Sequence, residues 1–142
     1  MSVRSFADSN IFVYAYDKDA GAKQTIAIDL IDALGGAGEL SISTQVLKEF
    51  YWVVTRKLSP ALPAETAGQV VRDLARYPLV LEDPPLVLDA IGRSRRDGLA
   101  LWDALIVEAA RRAKARVLYT EDLRHGRDFD GVRVENPFRE LP

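Results

Sequence analysis

Cysteine is absent from this chain of 142 residues, and histidine and methionine each occur once. Without cysteine there is no disulfide framework and no thiolate metal site. With His125 as the single imidazole, the pair of histidines that metal-free nucleases commonly use as general acid and base is missing. Any phosphodiester chemistry would then fall to metals held by carboxylates. Long apolar runs are missing too: no stretch approaches the roughly 18 unbroken apolar residues of a membrane span. The opening Met1-Ser2-Val3-Arg4 lacks the charged-then-apolar pattern of a signal peptide. These absences point to a soluble cytoplasmic protein with no membrane partner. Apolar residues still make up 48% of the chain, enough for a sizeable core, and the length suits a single domain over 1–142.

Neither sign of charge dominates, since the net charge is −2. Arginines nevertheless cluster at Arg93, Arg95 and Arg96, at Arg111 and Arg112, and at Arg124 and Arg127. Each cluster is readable as a solvated face. Together they would make a basic rim of the kind a nucleic acid requires.

Short β-like runs alternate with helical patterns, which predicts βαβ units and a parallel sheet. The expected strands are Val3 to Ala7, Leu40 to Ser43, Tyr77 to Leu81, Val117 to Thr120 and Val132 to Glu135. Between them the periodicity predicts helices over Ile11 to Tyr16, Ala20 to Leu34, from an N-cap at Thr44 to Leu58, Ala64 to Arg76, Pro85 to Arg96 and Leu101 to Lys114. Ile26, Ala27, Leu30, Ile31 and Leu34 form one apolar stripe, which Gly35, Gly36 and Gly38 bring to an end. The helix from Leu101 is apolar nearly all round in its first two turns, as a buried central helix would be.

In open parallel sheets, sites form beyond the carboxyl ends of the strands. Asp8 follows the first strand there, and Asp122 the late one after Thr120 and Glu121. Turn or helix-cap chemistry is the plain alternative for each. Asp103 lies in the first turn of the most apolar helix, where the helix dipole favours it and where it faces a cleft more readily than bulk water. Glu108, about 140° further round, cannot share that face. Glu49 stands off the stripe of Val46, Leu47, Phe50, Tyr51 and Val54, yet Trp52 and Val53 flank it on the other side. Periodicity leaves it open between solvent and site.

In order along the chain, Asp8-Ser9-Asn10-Ile11-Phe12-Val13-Tyr14, Ser43-Thr44-Gln45-Val46-Leu47-Lys48-Glu49, Trp102-Asp103-Ala104-Leu105 and Tyr119-Thr120-Glu121-Asp122 resemble the four motifs of PIN domains. The ending, Gly131 to Phe138, is similar to that of the bacterial toxins called VapC. No single motif is specific, but the ordered set is. The resemblance implies a small, mostly parallel α/β sheet of four to five strands with helices on both faces. It implies a pocket of four acids, Asp8, Glu49, Asp103 and Asp122, supported by Asn10 and Thr120. It further implies Mg²⁺- or Mn²⁺-dependent cleavage of RNA, with Asp8, Asp103 and Asp122 as metal ligands, in a homodimer restrained by a cognate antitoxin. Glu121 is a departure, because it competes with Asp122 for the fourth position.

Oxygen-only ligands suit hard cations of that kind. A module that binds RNA or a partner without cutting is the competing reading, opposed by the retention of all four acids. A phosphoacceptor signalling domain is rejected, because Asp8 stands alone after the first strand and no lysine follows Lys114. The antitoxin is expected to set a basic side chain among the four acids. The helix around Phe50, Tyr51 and Trp52 would wall its groove, with two of these three aromatics in the core.

Overall fold

The computed structural model describes residues 3–142. In chain order it contains β1 (Ser5–Ala7), α1 (Ser9–Ala15), a 3-10 turn (Lys18–Ala20), α2 (Ala22–Gly36), β2 (Leu40–Ser43) and α3 (Thr44–Arg56). Then follow α4 (Ala64–Leu74), β3 (Leu79–Val80), α5 (Pro84–Asp97), α6 (Leu101–Arg112), β4 (Val117–Tyr119), β5 (Asp128–Phe129) and β6 (Val132–Glu135). The sheet has six strands in the order β3-β2-β1-β4-β6-β5, one or two more than expected. All neighbours are parallel except β5 and β6, which form an antiparallel hairpin. Its two-residue loop, Asp130-Gly131, has φ of 54° and 98°, the paired positive values that a tight hairpin loop demands.

The chain steps from β1 to β2 to β3 in one direction, then crosses back to place β4 on the other side of β1. Right-handed crossovers that reverse direction put their helices on opposite faces. The reversal also makes β1 and β4 the switch point of the sheet, where the strand ends diverge and leave a crevice. Ala7 pairs with Tyr119, so the next residues, Asp8 and Thr120, emerge side by side at that crevice.

Helix boundaries follow local chemistry. Ser43, and not Thr44, caps α3: its backbone is extended and its Oγ accepts from Val46 N at 3.4 Å. Asp83 caps α5 by accepting from Leu86 N at 3.0 Å, and Gly98 ends that helix with φ of 68°. Gly35 and Gly36 lie within the last turn of α2, so the stop falls to Gly38, with φ of 71°.

The core gathers Phe6, Ile42 and Leu118 from the sheet, Phe12 from α1, and Val46, Phe50 and Val54 from α3. Those three α3 residues recur every four positions and are fully buried, each worth roughly 1.5–3 kcal/mol of burial. Truncating Phe50 to Ala would cost about 3–5 kcal/mol. Helix α6 is buried continuously from Ala104 to Ala110, as its pattern predicts. Tyr51 and Trp52 are exposed, so of the three adjacent aromatics only Phe50 serves the core.

Arg93 corrects the expected basic rim. It is buried, and its guanidinium binds Glu108 at 2.7 Å, Asp97 at 2.9 Å and Asp130 at 2.7 Å, tying α5 to α6 and to the β5–β6 loop. Arg111 pairs with Glu108 and Arg112 with Asp83, so both of these are engaged as well. Among the described residues no helix is long and apolar enough to cross a membrane.

Candidate functional site

Asp8 leaves β1 in an extended conformation and caps α1, which begins at the next residue. Its Oδ1 accepts from Ser9 N at 2.7 Å, and its Oδ2 accepts from Thr120 Oγ1 at 2.9 Å. Both oxygens are thereby fixed, and the carboxyl group is almost wholly buried, at 4% exposure. Burial dominates its acidity, lifting the pKa from 3.8 to about 7 despite those two hydrogen bonds. The charges of Asp122 and Glu49 push in the same direction.

Thr120 links the two strand ends. While donating to Asp8, its Oγ1 accepts from Asp122 N at 3.1 Å and from Asn10 Nδ2 at 3.3 Å. Asn10 Nδ2 also donates to Asp122 Oδ2 at 3.2 Å, and Asn10 Oδ1 accepts from Glu121 N at 3.4 Å. One amide on α1 thus holds both the backbone and the side chain that follow β4. These contacts make Asn10 and Thr120 the polar side chains that join the ends of β1 and β4.

Glu49 comes to the same crevice from α3. Ser9 Oγ lies 3.5 Å from both Asp8 Oδ1 and Glu49 Oε1, and Gln45 Nε2 donates to Glu49 Oε1 at 3.4 Å. Glu49 is half-buried, which the helical wheel left undecided. Asp103, half-buried in the first turn of α6, faces Asp122. Burial raises the pKa of Glu49, Asp103 and Asp122 from their ordinary values, and neighbouring carboxylates add to it. For Glu49 these neighbours are Asp122 and Asp103.

Glu121 points elsewhere. Tyr14 Oη donates to its Oε1, and Lys23 Nζ binds its Oε2 at 3.0 Å. Both residues lie in the bend beyond the end of β4, and the charge of Glu121 is already matched by Lys23. Asp122, by contrast, has Asn10 as its side-chain partner.

Among the described residues, no lysine or arginine forms an ion pair with Asp8, Glu49, Asp103 or Asp122. Most other carboxylates with raised burial are compensated, Glu108 by Arg93 being the clearest case. Four acids converging without counter-charge must take up protons or cations. As they stand, no three of them close around one point tightly enough to encase an ion. Mg²⁺ does not require that, because it retains several waters and commonly uses only one or two carboxylates. An all-oxygen donor set that lacks a counter-charge fits such a cation in its donor chemistry.

Ser9 and Gln45 are contributors that the sequence reading passed over as parts of motifs. Their roles depend on α1 and α3 meeting at the strand ends, and no spacing within one helix announces that. His125 is engaged with the segment after β6, its Nδ1 accepting from Asn136 N at 3.1 Å.

A strand-end crevice of this design defines a class. The PIN domain family model matches residues 5–130, and the chain belongs to that family. No curated protein matches the sequence. Among solved structures, a toxin–antitoxin complex from Klebsiella pneumoniae shares the fold at a TM-score of 0.70 and 16% identity, with 94% of this chain and 97% of that one covered. VapC20 of Mycobacterium tuberculosis, described as a toxin that cleaves the sarcin-ricin loop, matches at 0.64 and 17%, covering 83% and 89%. DNA-bound VapBC from Salmonella typhimurium matches at 0.62 and 19%, covering 96% and 99%.

Proposed function

We propose that the chain is a Mg²⁺- or Mn²⁺-dependent endoribonuclease, the toxin of a toxin–antitoxin pair. The observation that carries this reading is the set of four uncompensated carboxylates at the switch point of a PIN fold. Asp8, Asp103 and Asp122 would hold the cation. Glu49, its pKa raised by burial, would orient the attacking water and accept its proton. A bound divalent ion would supply Lewis acidity toward the phosphate and toward that water.

The rest belongs to the protein. Thr120 and Ser9 fix both oxygens of Asp8, so its lone pairs are aimed before any ligand arrives. Asn10 restrains Asp122, and Gln45 restrains Glu49. Arg95, Arg124 and Arg127, which make no ion pair among the described residues, remain as positive charges for a phosphate backbone.

The neighbours that are complexes with antitoxins support a protein partner of the same kind. A basic side chain seated among the four acids would replace the cation. A homodimer is part of the same proposal. The test is incubation of single-stranded RNA with the purified chain in Mg²⁺ and, separately, in EDTA. Cleavage in the first and none in the second is expected. RNA that is bound but left intact in both would favour the non-cutting module.

A further inference from the structure

Beside the acidic centre lies a recess of about 390 Å³, lined by Gln45, Lys48, Glu49, Glu82 and Trp102. Small-molecule sites typically span roughly 300–1,000 Å³, so this one falls within their range. We propose that it is a base-binding subsite for single-stranded RNA, with the Trp102 indole as its stacking platform. The proposal rests on the nuclease reading of the adjacent acids and adds a determinant of which nucleotide sits next to the scissile bond.

Trp102 immediately precedes Asp103 and is 64% exposed. An indole so bare offers a large, rigid and uncovered face to a flat partner. Trp52, the other indole, already has the Arg56 guanidinium 4.0 Å from its ring centre. Among the described residues, no aromatic ring or cation packs on Trp102. Base stacking on aromatic side chains is the contact by which proteins hold single strands, and every base offers a face for it.

The platform is also mounted on the site. Gln45 Nε2 donates to the Trp102 carbonyl at 3.1 Å and to Glu49 Oε1 at 3.4 Å. Both neighbours are acceptors, so the amide nitrogen must face them. One buried side chain therefore sets the distance between the indole's backbone and a proposed catalytic acid. Gln45 Oε1 is left buried without a partner, the one side-chain atom of that kind among the described residues. Orphaned buried acceptors are rare and tend to mark functional sites.

Charge completes the fit. Lys48, with its side chain 75% exposed, lies 4.0 Å from Glu82 and is free to swing toward a phosphate. Glu82 accepts from Thr44 Oγ1 at 3.2 Å and keeps lone pairs for a base amine. A single indole between charged side chains, continuous with the acids through Glu49, suits one nucleotide. A protein helix would want a longer apolar groove.

The experiment uses a chain carrying Asp8→Asn, to keep RNA intact, and Trp52→Phe, so that Trp102 is the only indole. Short oligo(A), oligo(C) and oligo(U), and an abasic ribose-phosphate strand, are titrated in Mg²⁺ while fluorescence is followed. The base-bearing strands should quench the indole and the abasic strand should not. Adding Trp102→Ala should weaken binding of a dye-labelled oligonucleotide, followed by its anisotropy, about tenfold, while Trp102→Phe keeps most of it. Unchanged binding by the Ala variant, or fluorescence that ignores RNA, overturns the subsite. Fluorescence that responds only to dilution of the protein also overturns it, assigning the indole to a contact between copies. In the cleavage assay with Asp8 intact, Trp102→Ala should raise KM more than it lowers kcat. A wild-type chain that cuts nothing in Mg²⁺ defeats the nuclease reading instead, and the quenching result still decides the subsite.

Discussion

Replacing Asp8 by Asn should change stability with opposite signs at the two ends of the pH range. Asp8 keeps its proton up to about pH 7 in the folded chain, against 3.8 for the ordinary group. Between those values the folded state binds more protons than the unfolded one, so this group's contribution to stability falls as pH rises. About three pKa units at 1.36 kcal/mol each put the full penalty at roughly 4 kcal/mol above pH 7. Asn removes that penalty. It also brings an N–H₂ group toward Thr120 Oγ1, which already accepts from Asn10 and Asp122 and donates to Asp8. The lost bond costs about 1–3 kcal/mol. Without metal, Asp8→Asn should therefore be about 1–3 kcal/mol more stable than wild type near pH 8, raising Tm by roughly 3–4 °C per kcal/mol. Near pH 3, below both values, where Asp8 is mostly protonated in the folded and unfolded states alike, the variant should be the less stable protein. Thermal unfolding in EDTA across this range measures the difference directly. A difference that does not vary with pH would refute the idea that Asp8 is a charge buried without compensation.

Three other substitutions separate site from scaffold. Glu121→Gln should leave metal-dependent cleavage within a few-fold of wild type and cost about 1 kcal/mol, because it weakens the partly exposed pair with Lys23 and the hydrogen bond from Tyr14 Oη. Asp122→Asn should lose cleavage with the fold intact; activity assays paired with circular dichroism distinguish the two, and the reverse result would exchange their roles. Arg93→Met should destabilise by about 3–5 kcal/mol, since it removes the buried cation of Glu108 and leaves only the partly exposed Arg111, and adding Glu108→Leu should recover much of that in denaturant titrations. The melting shift caused by Mg²⁺ should be the same in Arg93→Met as in wild type, because the network touches none of the four acids.

How legible the fold was depended on the range of the signal. The five strands other than β5 and all six α-helices follow from periodicity and caps, with ends displaced by up to two residues. Strand β5 has two residues and no pattern of its own; the readable cue was Asp130-Gly131, a hairpin dipeptide, whose pairing made the sheet larger than expected. Asp8 and Asp122 stood out because each follows a strand end, a rule that needs only the local pattern and the sheet class. Glu49 was ambiguous because its half-burial comes from Ser9 and Gln45, residues on another element and a turn away. Arg93 looked like one of a charged cluster, and only the meeting of α5, α6 and the β5–β6 loop makes it a buried hub. The adjacent aromatics went the other way: α3 buries Val46, Phe50 and Val54, and that spacing turns Tyr51 and Trp52 outward.

The central claim is that Asp103 belongs to a cation-holding centre that cuts RNA, and one comparison tests it most directly. Cleavage of a single-stranded RNA by wild type and by Asp103→Asn is measured over a Mg²⁺ titration, with unfolding curves to show that both are folded. Loss of a group that merely orients a metal ligand costs about 10–100-fold, so loss of a ligand itself should cost at least a hundredfold. The account predicts wild-type cleavage that rises with Mg²⁺ and disappears in EDTA, and a folded Asp103→Asn protein reduced by at least that factor. Equal cleavage by the two proteins, or wild-type cleavage that persists in EDTA, would contradict it.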